Sequence, residues 1–201
     1  MRLESRACSF EFEPVGLLIE PERFTDVFAL KNNKTARETL MHPRYRKLVP
    51  LVQPRYEFGL DQALGSFLLD LKRQGRPEYR AFLNRYGDGT YCAFQLSSDA
   101  PLAQRGLYAF SVGGEVKYIG RCRDSFGKRL NLGYGRIHPK NCYLDGQATN
   151  CHLNGLIAQQ DAEGLTLHVH VMQAGDEIVA AELALIERYL PEWNIALYGR
   201  R

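Results

Sequence analysis

The stretch Gly106-Leu107-Tyr108-Ala109-Phe110-Ser111-Val112-Gly113-Gly114-Glu115-Val116-Lys117-Tyr118-Ile119-Gly120 decides how the rest of the chain is read. Two strand-like runs meet at Gly113-Gly114, a pair that reaches positive φ without steric cost and so suits a hairpin turn. Two registers are open to this hairpin. A turn confined to Gly113-Gly114 pairs Tyr108 with Ile119 and sends Tyr108 and Tyr118 to opposite faces. A loop that also takes in Glu115 sets Val112 opposite Val116 and Phe110 opposite Tyr118, so that Tyr108, Phe110, Val112, Val116 and Tyr118 share one apolar-aromatic face. The second register keeps the alternation unbroken and is the one expected. It puts both phenols on one surface, with Gly120 at its end, where the missing side chain permits close approach to the backbone.

Downstream, Asp124 or Ser125 can cap a helix carrying Lys128, Arg129, Leu130 and Tyr134. A glycine- and cysteine-containing excursion follows through Gly133, Gly135, His138, Pro139, Cys142 and Cys151, and Asn150 is expected to cap a helix with Leu153, Leu156 and Ile157 on one face. Leu165–Val171 alternates and reads as a third strand, with His168 and His170 on its solvent side. The last helix is expected to be capped by Asp176. Its apolar stripe of Ile178, Val179, Leu185, Ile186 and Tyr189 has Glu182 at the centre, whereas Glu177 and Glu187 point the other way. A carboxylate in an apolar stripe is costly unless an arginine or a metal ion meets it. Pro191 ends this helix, and Trp193-Asn194 begins a buried tail.

Upstream, residues 1–100 read as an α+β region of their own, separated from 101–201 by the turn-rich Ser97-Ser98-Asp99-Ala100-Pro101. Ser9–Glu13 alternates like an exposed strand that Pro14 should end. Lys31–Arg55 is basic and proline-punctuated, so long helices are not expected there. Asp61 is a good cap for a helix whose Leu60, Leu64, Phe67, Leu68 and Leu71 form one stripe ending near Gly75, and Pro77–Gly87 reads as a second helix. The arginines and lysines of this half, with Tyr45 and Tyr56, offer DNA recognition or dimer contacts, or are the solvated side of a packing domain.

The 201 residues are 45% hydrophobic, enough for a sizeable core. No apolar run approaches a membrane span and no signal-peptide core follows Met1–Arg6, so a cytoplasmic protein is expected. Five cysteines without a CxxC pair argue for reduced thiols rather than a disulfide framework. A net charge of +3 is too mild to identify a partner, but its distribution is informative. Arg105, Lys117, Arg121, Arg123, Lys128, Arg129, Arg136 and Lys140 are accompanied only by Glu115 and Asp124. The segment after them is acidic, with Asp145, Asp161, Glu163, Asp176, Glu177, Glu182, Glu187 and Glu192. A basic stretch interleaved with Tyr118 and Tyr134 suits a phosphate backbone.

Two phenols on one sheet face, an arginine one helix on and a carboxylate on a distant helix form a set that phosphoryl chemistry uses: a cation for the developing charge, a metal and a base. One carboxylate holds Mg²⁺ weakly, with water and substrate phosphate completing the octahedron. A free phenol of pKa about 10 is ionised in roughly one molecule per thousand at neutral pH, so Arg121, Lys117 or the metal would have to favour the phenolate.

Gly106-Leu107-Tyr108, Tyr118-Ile119-Gly120, Arg129, Glu182 and Asn194 occur in the order and approximate spacing of the GIY-YIG nuclease superfamily, which residues 104–198 therefore resemble. The resemblance implies a three-stranded antiparallel sheet flanked by helices and a Mg²⁺-dependent hydrolysis of DNA that leaves a 5′-phosphate and a 3′-hydroxyl; Mn²⁺ is expected to substitute. It implies Tyr108 as general base, Tyr118 as a hydrogen-bonding partner of the attacking water or phosphate or a sharer of the base role, Arg129 as stabiliser of the pentacovalent phosphate, Glu182 as metal ligand and Asn194 as the tie between tail and core. Arg121, Tyr134 and His152 are supporting candidates, and Lys117, Arg123, Lys128 and Arg136 are candidates for DNA contact. There are departures. Gly133 stands where many members carry histidine or tyrosine four residues after the arginine, so Tyr134 takes that role or the role is vacant. The excursion before Asn150 is longer than in compact phage homing enzymes. His138, Cys142, Cys151 and His152 match no standard zinc spacing, so zinc is not expected. The further incision machinery of repair members and the DNA-binding extension of homing members are not seen. A restriction-type enzyme cutting duplex DNA as a homodimer is therefore expected. The alternatives are a structure-directed or repair-type nuclease and a catalytically retired nucleic-acid-binding protein.

Overall fold

A computed structural model describes residues 1–6, 8–160 and 164–195. Asp161, Glu163 and the last residues of the resembling stretch lie outside them. The fold is α+β. In chain order come β1 (Arg2–Glu4), β2 (Ser9–Glu11), β3 (Glu13–Val15), β4 (Leu17–Phe24), α1 (Ala36–Met41), α2 (Val49–Tyr56), α3 (Leu64–Arg73), β5 (Tyr91–Leu96), β6 (Gly106–Val112), β7 (Glu115–Cys122), a π-helix (Gly127–Tyr134), α4 (Ala148–Ile157), β8 (Leu165–Val171) and α5 (Ile178–Tyr189), with short 3₁₀ turns between them. No helix among the described residues is long and apolar enough to cross a membrane.

The chain divides into two compact units that interleave in sequence. One comprises residues 1–21, 93–136 and 159–201, the other 22–92 and 137–158. The turn at Ser97–Pro101, expected to be a boundary, falls inside the first unit. That unit draws in the N-terminal strands because its sheet has a place for one of them.

The sheet of the first unit has the order β3-β8-β6-β7, four strands where the resemblance implied three. The fourth is β3, which pairs antiparallel with β8 through Pro14 opposite His168. Pro14 thus lies within a strand instead of ending one. An edge position tolerates a residue with no N–H to donate.

The hairpin combines the two registers that the sequence left open. Gly113 and Gly114 have φ of 58° and 84°, as a tight two-residue turn requires, and Val112 faces Glu115. The register then shifts between Phe110 and Ser111, so that Phe110 faces Tyr118 and Tyr108 faces Gly120. One extra residue on β7 makes this bulge. It returns Tyr108, Phe110 and Tyr118 to one face, as expected. Val116, opposite Ser111, goes to the other face, contrary to expectation, and packs there with the α5 cluster.

That second face is closed by α5 and the N-terminal strands. Leu107, Ala109 and Ile119 of the sheet are buried with Leu3, Phe10, Phe12, Ile178, Leu185 and Ile186. Each fully buried aliphatic or aromatic side chain contributes about 1.5–3 kcal/mol. His170, expected on the solvent side, is half-buried beside this packing. Its ring lies 5.4 Å from Phe10 and 5.7 Å from Phe12, and Nδ1 donates to the Glu11 carbonyl at 2.8 Å. Asp176 does not cap α5; its carboxylate accepts from the Gln173 amide. Leu190, at a φ of 46°, ends the helix just before Pro191.

The second unit is mostly helical, and its core includes Phe28, Leu40, Val52, Phe82 and Tyr143. The stripe of Leu60, Leu64, Phe67, Leu68 and Leu71 is buried as expected. Asp61, however, accepts from Arg37 Nε at 2.7 Å, and α3 begins only at Leu64. The helix expected from Pro77 is a short 3₁₀ segment ending at Phe82, and α4 starts two residues before Asn150.

Candidate functional site

The site grows from the hairpin. Strand alternation sends Tyr108 and Tyr118 to the face away from α5, and their rings stack with centroids 6.0 Å apart. Tyr108 lies across Gly120, where a Cβ would stand 2.5 Å from both Cζ and Oη of the phenol. Gly106 meets a different constraint: a Cβ there would stand 2.0 Å from the His170 carbonyl oxygen of β8. Each motif glycine is therefore required by a close approach.

Over this face lies the π-helix, in which the Gly135 amide donates to the Leu130 carbonyl five residues back at 2.6 Å. In a helix closed by i to i+5 bonds, the residue five along returns to the same side. Tyr134, not Gly133, therefore joins Arg129. Arg129 Nη2 donates to the Tyr134 hydroxyl at 2.6 Å, and the guanidinium carbon sits 4.4 Å from the centre of that ring. Tyr108 donates to the same hydroxyl at 3.1 Å, and Tyr118 lies 3.3 Å from it. A hydroxyl accepts two hydrogen bonds and donates one. With Arg129 and Tyr108 donating to it, Tyr134 has its own proton for the Tyr118 oxygen. Tyr118 then keeps a proton to offer outward, and it is the only one of the three phenols not fully buried.

Burial, and then the neighbouring phenols, push the Tyr108 and Tyr118 hydroxyls above the ordinary range; Arg129 opposes this without reversing it. Both are neutral at pH 7 and act as donors. Tyr108, implied as the base, is the more deeply enclosed of this pair. Burial works against the charge of Arg129, but the three phenols outweigh it and hold the guanidinium above its usual range. Arg129 has no carboxylate partner among the described residues, and its buried Nε has no hydrogen-bond partner.

Glu182 is buried in the α5 stripe as the periodicity required, and the group that meets it is an arginine. Its Oε2 pairs with Arg121 Nη1. Alternation along β7 puts Arg121 beside Ile119 on the α5 face, so this pair and the phenols occupy opposite sides of the sheet. To a divalent ion Glu182 offers one carboxylate, and only in place of Arg121; no group of three or more His, Cys, Asp or Glu able to hold a metal occurs among the described residues, so water and substrate phosphate would supply the remaining ligands.

Asn194 ties the tail to β7 through both ends of its amide. It accepts from the Ile119 N–H at 2.9 Å and donates to the Ile119 carbonyl at 2.7 Å, while the Trp193 amide donates to Lys117. Lys117 is paired with Glu115 and Glu192, and Lys128 with Asp124. Arg123 and Arg136, at the two ends of the π-helix, are exposed and form no ion pair among the described residues. His152 belongs to the second unit, where its ring packs 4.4 Å from that of Tyr86. Residue order alone left Tyr134 in a supporting place, although it is the centre of the hydrogen-bond network. The signal was present in the displacement of an aromatic by one residue past Gly133.

No family model, curated protein or solved structure matches the chain.

Proposed function

We propose that the chain is a GIY-YIG-type phosphodiesterase that hydrolyses DNA, most simply a restriction-type endonuclease. The observation that carries this reading is the guanidinium of Arg129: positive, held by a phenol through Nη2 and without a carboxylate among the described residues. Such a group is matched to a phosphate oxygen. Tyr118 supplies a neutral O–H beside it, and the two together would bind the non-bridging oxygens and offset charge that develops as the phosphorus becomes five-coordinate. Arg123 and Arg136 extend the positive surface along the backbone on either side. Tyr108 and Tyr134 do not reach solvent and act by holding Arg129 and Tyr118 in place. Should Mg²⁺ serve the reaction, Glu182 is the carboxylate that would hold it, and the Arg121 guanidinium is what it must displace.

Incubation of purified protein with mixed duplexes and Mg²⁺ tests the reading. Discrete fragments are expected, with cleavage abolished in Arg129→Ala and Glu182→Ala while DNA binding is largely retained. Near wild-type turnover in Arg129→Ala would overturn it. The Glu182–Arg121 pair favours a second reading, a protein that binds nucleic acid without cutting it; binding without cleavage under all divalent ions selects that one.

A further inference from the structure

We propose that the second unit carries a phosphate-binding pocket formed by Lys31, Lys34 and Lys140. The three lysines line a concavity of about 140 Å³. At roughly 30 Å³ per water this is room for a few waters or one tetrahedral oxyanion. None of the three forms an ion pair among the described residues. The two carboxylates on the same wall are already engaged. Asp145 accepts from the Tyr45 hydroxyl at 2.5 Å, and Glu38 accepts from the Thr35 amide at 2.7 Å in the capping box that starts α1. The pocket therefore presents three ammonium groups against two carboxylates, each with one oxygen already engaged, and keeps a net positive charge for an anion.

The cations stand on fixed supports. Lys31 follows a 3₁₀ turn whose Val27 and Phe28 are in the core, and its ammonium lies 5.0 Å from the centre of the buried Tyr143 ring. Lys140 sits in the Pro139–Cys142 turn, anchored by buried Cys142. Burial lowers the Lys31 pKa and the like charges of Lys34 and Lys140 act in the same direction, with Asp145 opposing. A bound anion removes that like-charge conflict. Compact ammonium groups without a planar fork suit phosphate as point charges.

A phosphodiester of a nucleic-acid backbone and a free phosphate present the same chemistry here. The duplex as source rests on the proposed function; affinity for phosphate does not. The test uses the full chain and reads binding, never cleavage. Calorimetric titration with inorganic phosphate is carried out on the wild type, on Lys31→Gln/Lys140→Gln, on the milder Lys34→Gln and on Arg73→Gln, which removes an exposed cation outside the pocket. Weakening of at least tenfold in the double variant, a smaller loss in Lys34→Gln and retention in Arg73→Gln support the pocket. Absence of phosphate binding by the wild type, or equal binding by all four proteins, overturns it. In a second arm, duplex affinity is measured against salt. A shallower slope in the double variant, by about 0.9 for each phosphate that it no longer neutralises, makes the backbone the source; an unchanged slope together with abolished phosphate binding makes it a free phosphate compound.

Discussion

Substituting Gly120 by alanine places a methyl group 2.5 Å from Cζ and Oη of Tyr108 and 2.8 Å from Cε2. Carbon atoms in contact stand about 3.5–4.0 Å apart, so the ring must retreat by about 1 Å. Tyr108 is fully buried, with no space prepared for that movement. Overpacking of this kind costs about 1–3 kcal/mol, and loss of the bond to Tyr134 adds about 1 kcal/mol. The total of about 2–4 kcal/mol corresponds to a fall in Tm of about 4–16 °C for a chain of this length. The backbone is not the obstacle, because Gly120 is not among the glycines at positive φ. Tyr108→Leu removes all three contacted atoms, so Gly120→Ala made in that background should cost less than about 0.5 kcal/mol. Urea midpoints of the wild type, both single variants and the double variant give the coupling directly. An equal cost of the alanine in both backgrounds would refute the claim that the phenol is what keeps position 120 free of a side chain.

Tyr134→Phe leaves the Arg129 and Tyr108 donors without their shared acceptor; it should lower stability by about 2 kcal/mol and cleavage with it, and an unchanged urea midpoint would count against the network. Arg121→Ala leaves the Glu182 carboxylate uncompensated at a site where the arginine is 32% exposed, which should cost about 1–3 kcal/mol. Millimolar Mg²⁺ should then raise the Tm of Arg121→Ala but not of Arg121→Ala/Glu182→Ala, since only an ion held by that carboxylate links to folding; equal responses would separate Glu182 from any metal. Burial pushes the Cys92 and Cys122 thiols up to about 11. Their folded-state pKa is above the unfolded value, so this contribution is complete below about pH 8.5 and is lost as pH rises toward 11, by at most about 1.4 kcal/mol per pH unit for each thiol; urea midpoints that stay flat from pH 8 to 10.5 would contradict it. Sedimentation with a cognate duplex should show two copies of the chain, as cutting both strands from one site per copy requires, and a monomer both free and on DNA would exclude the homodimer.

How much of this could be read from residue order depends on the range of the interaction concerned. The alternation of Leu165–Val171 and the stripe from Leu60 to Leu71 are local patterns, and both elements bury the faces they announce. The β7 bulge is different. Gly113-Gly114 and the preferred pairing of Phe110 with Tyr118 looked like exclusive choices, because a regular ladder cannot satisfy both. One extra residue reconciles them, and only the packing of Val116 against the α5 cluster says where it goes. The interleaved units were hidden for a related reason. Pro14 reads as a strand terminator until a neighbouring edge exists on which its missing N–H does no harm.

Tyr134 and Glu182 show the same limit at the candidate site. Helix periodicity of 3.6 residues makes Gly133 the neighbour of Arg129 and leaves Tyr134 displaced. The i to i+5 closure corrects this by a single residue, and the correction is visible only in the hydrogen bond from Gly135 to Leu130. For Glu182, periodicity correctly demanded a positive partner but was silent between an arginine and an ion. The choice follows from alternation on a strand distant in sequence, which sets Arg121 beneath α5. The same alternation sends Tyr118, three residues earlier, to the other side. Motif residues that are near neighbours in sequence are thereby divided by the sheet itself. Any reaction that uses both groups must bring its phosphate to an edge from which both faces can be reached, and β7, the outermost strand at that end of the sheet, is the strand that carries Tyr118, Gly120 and Arg121.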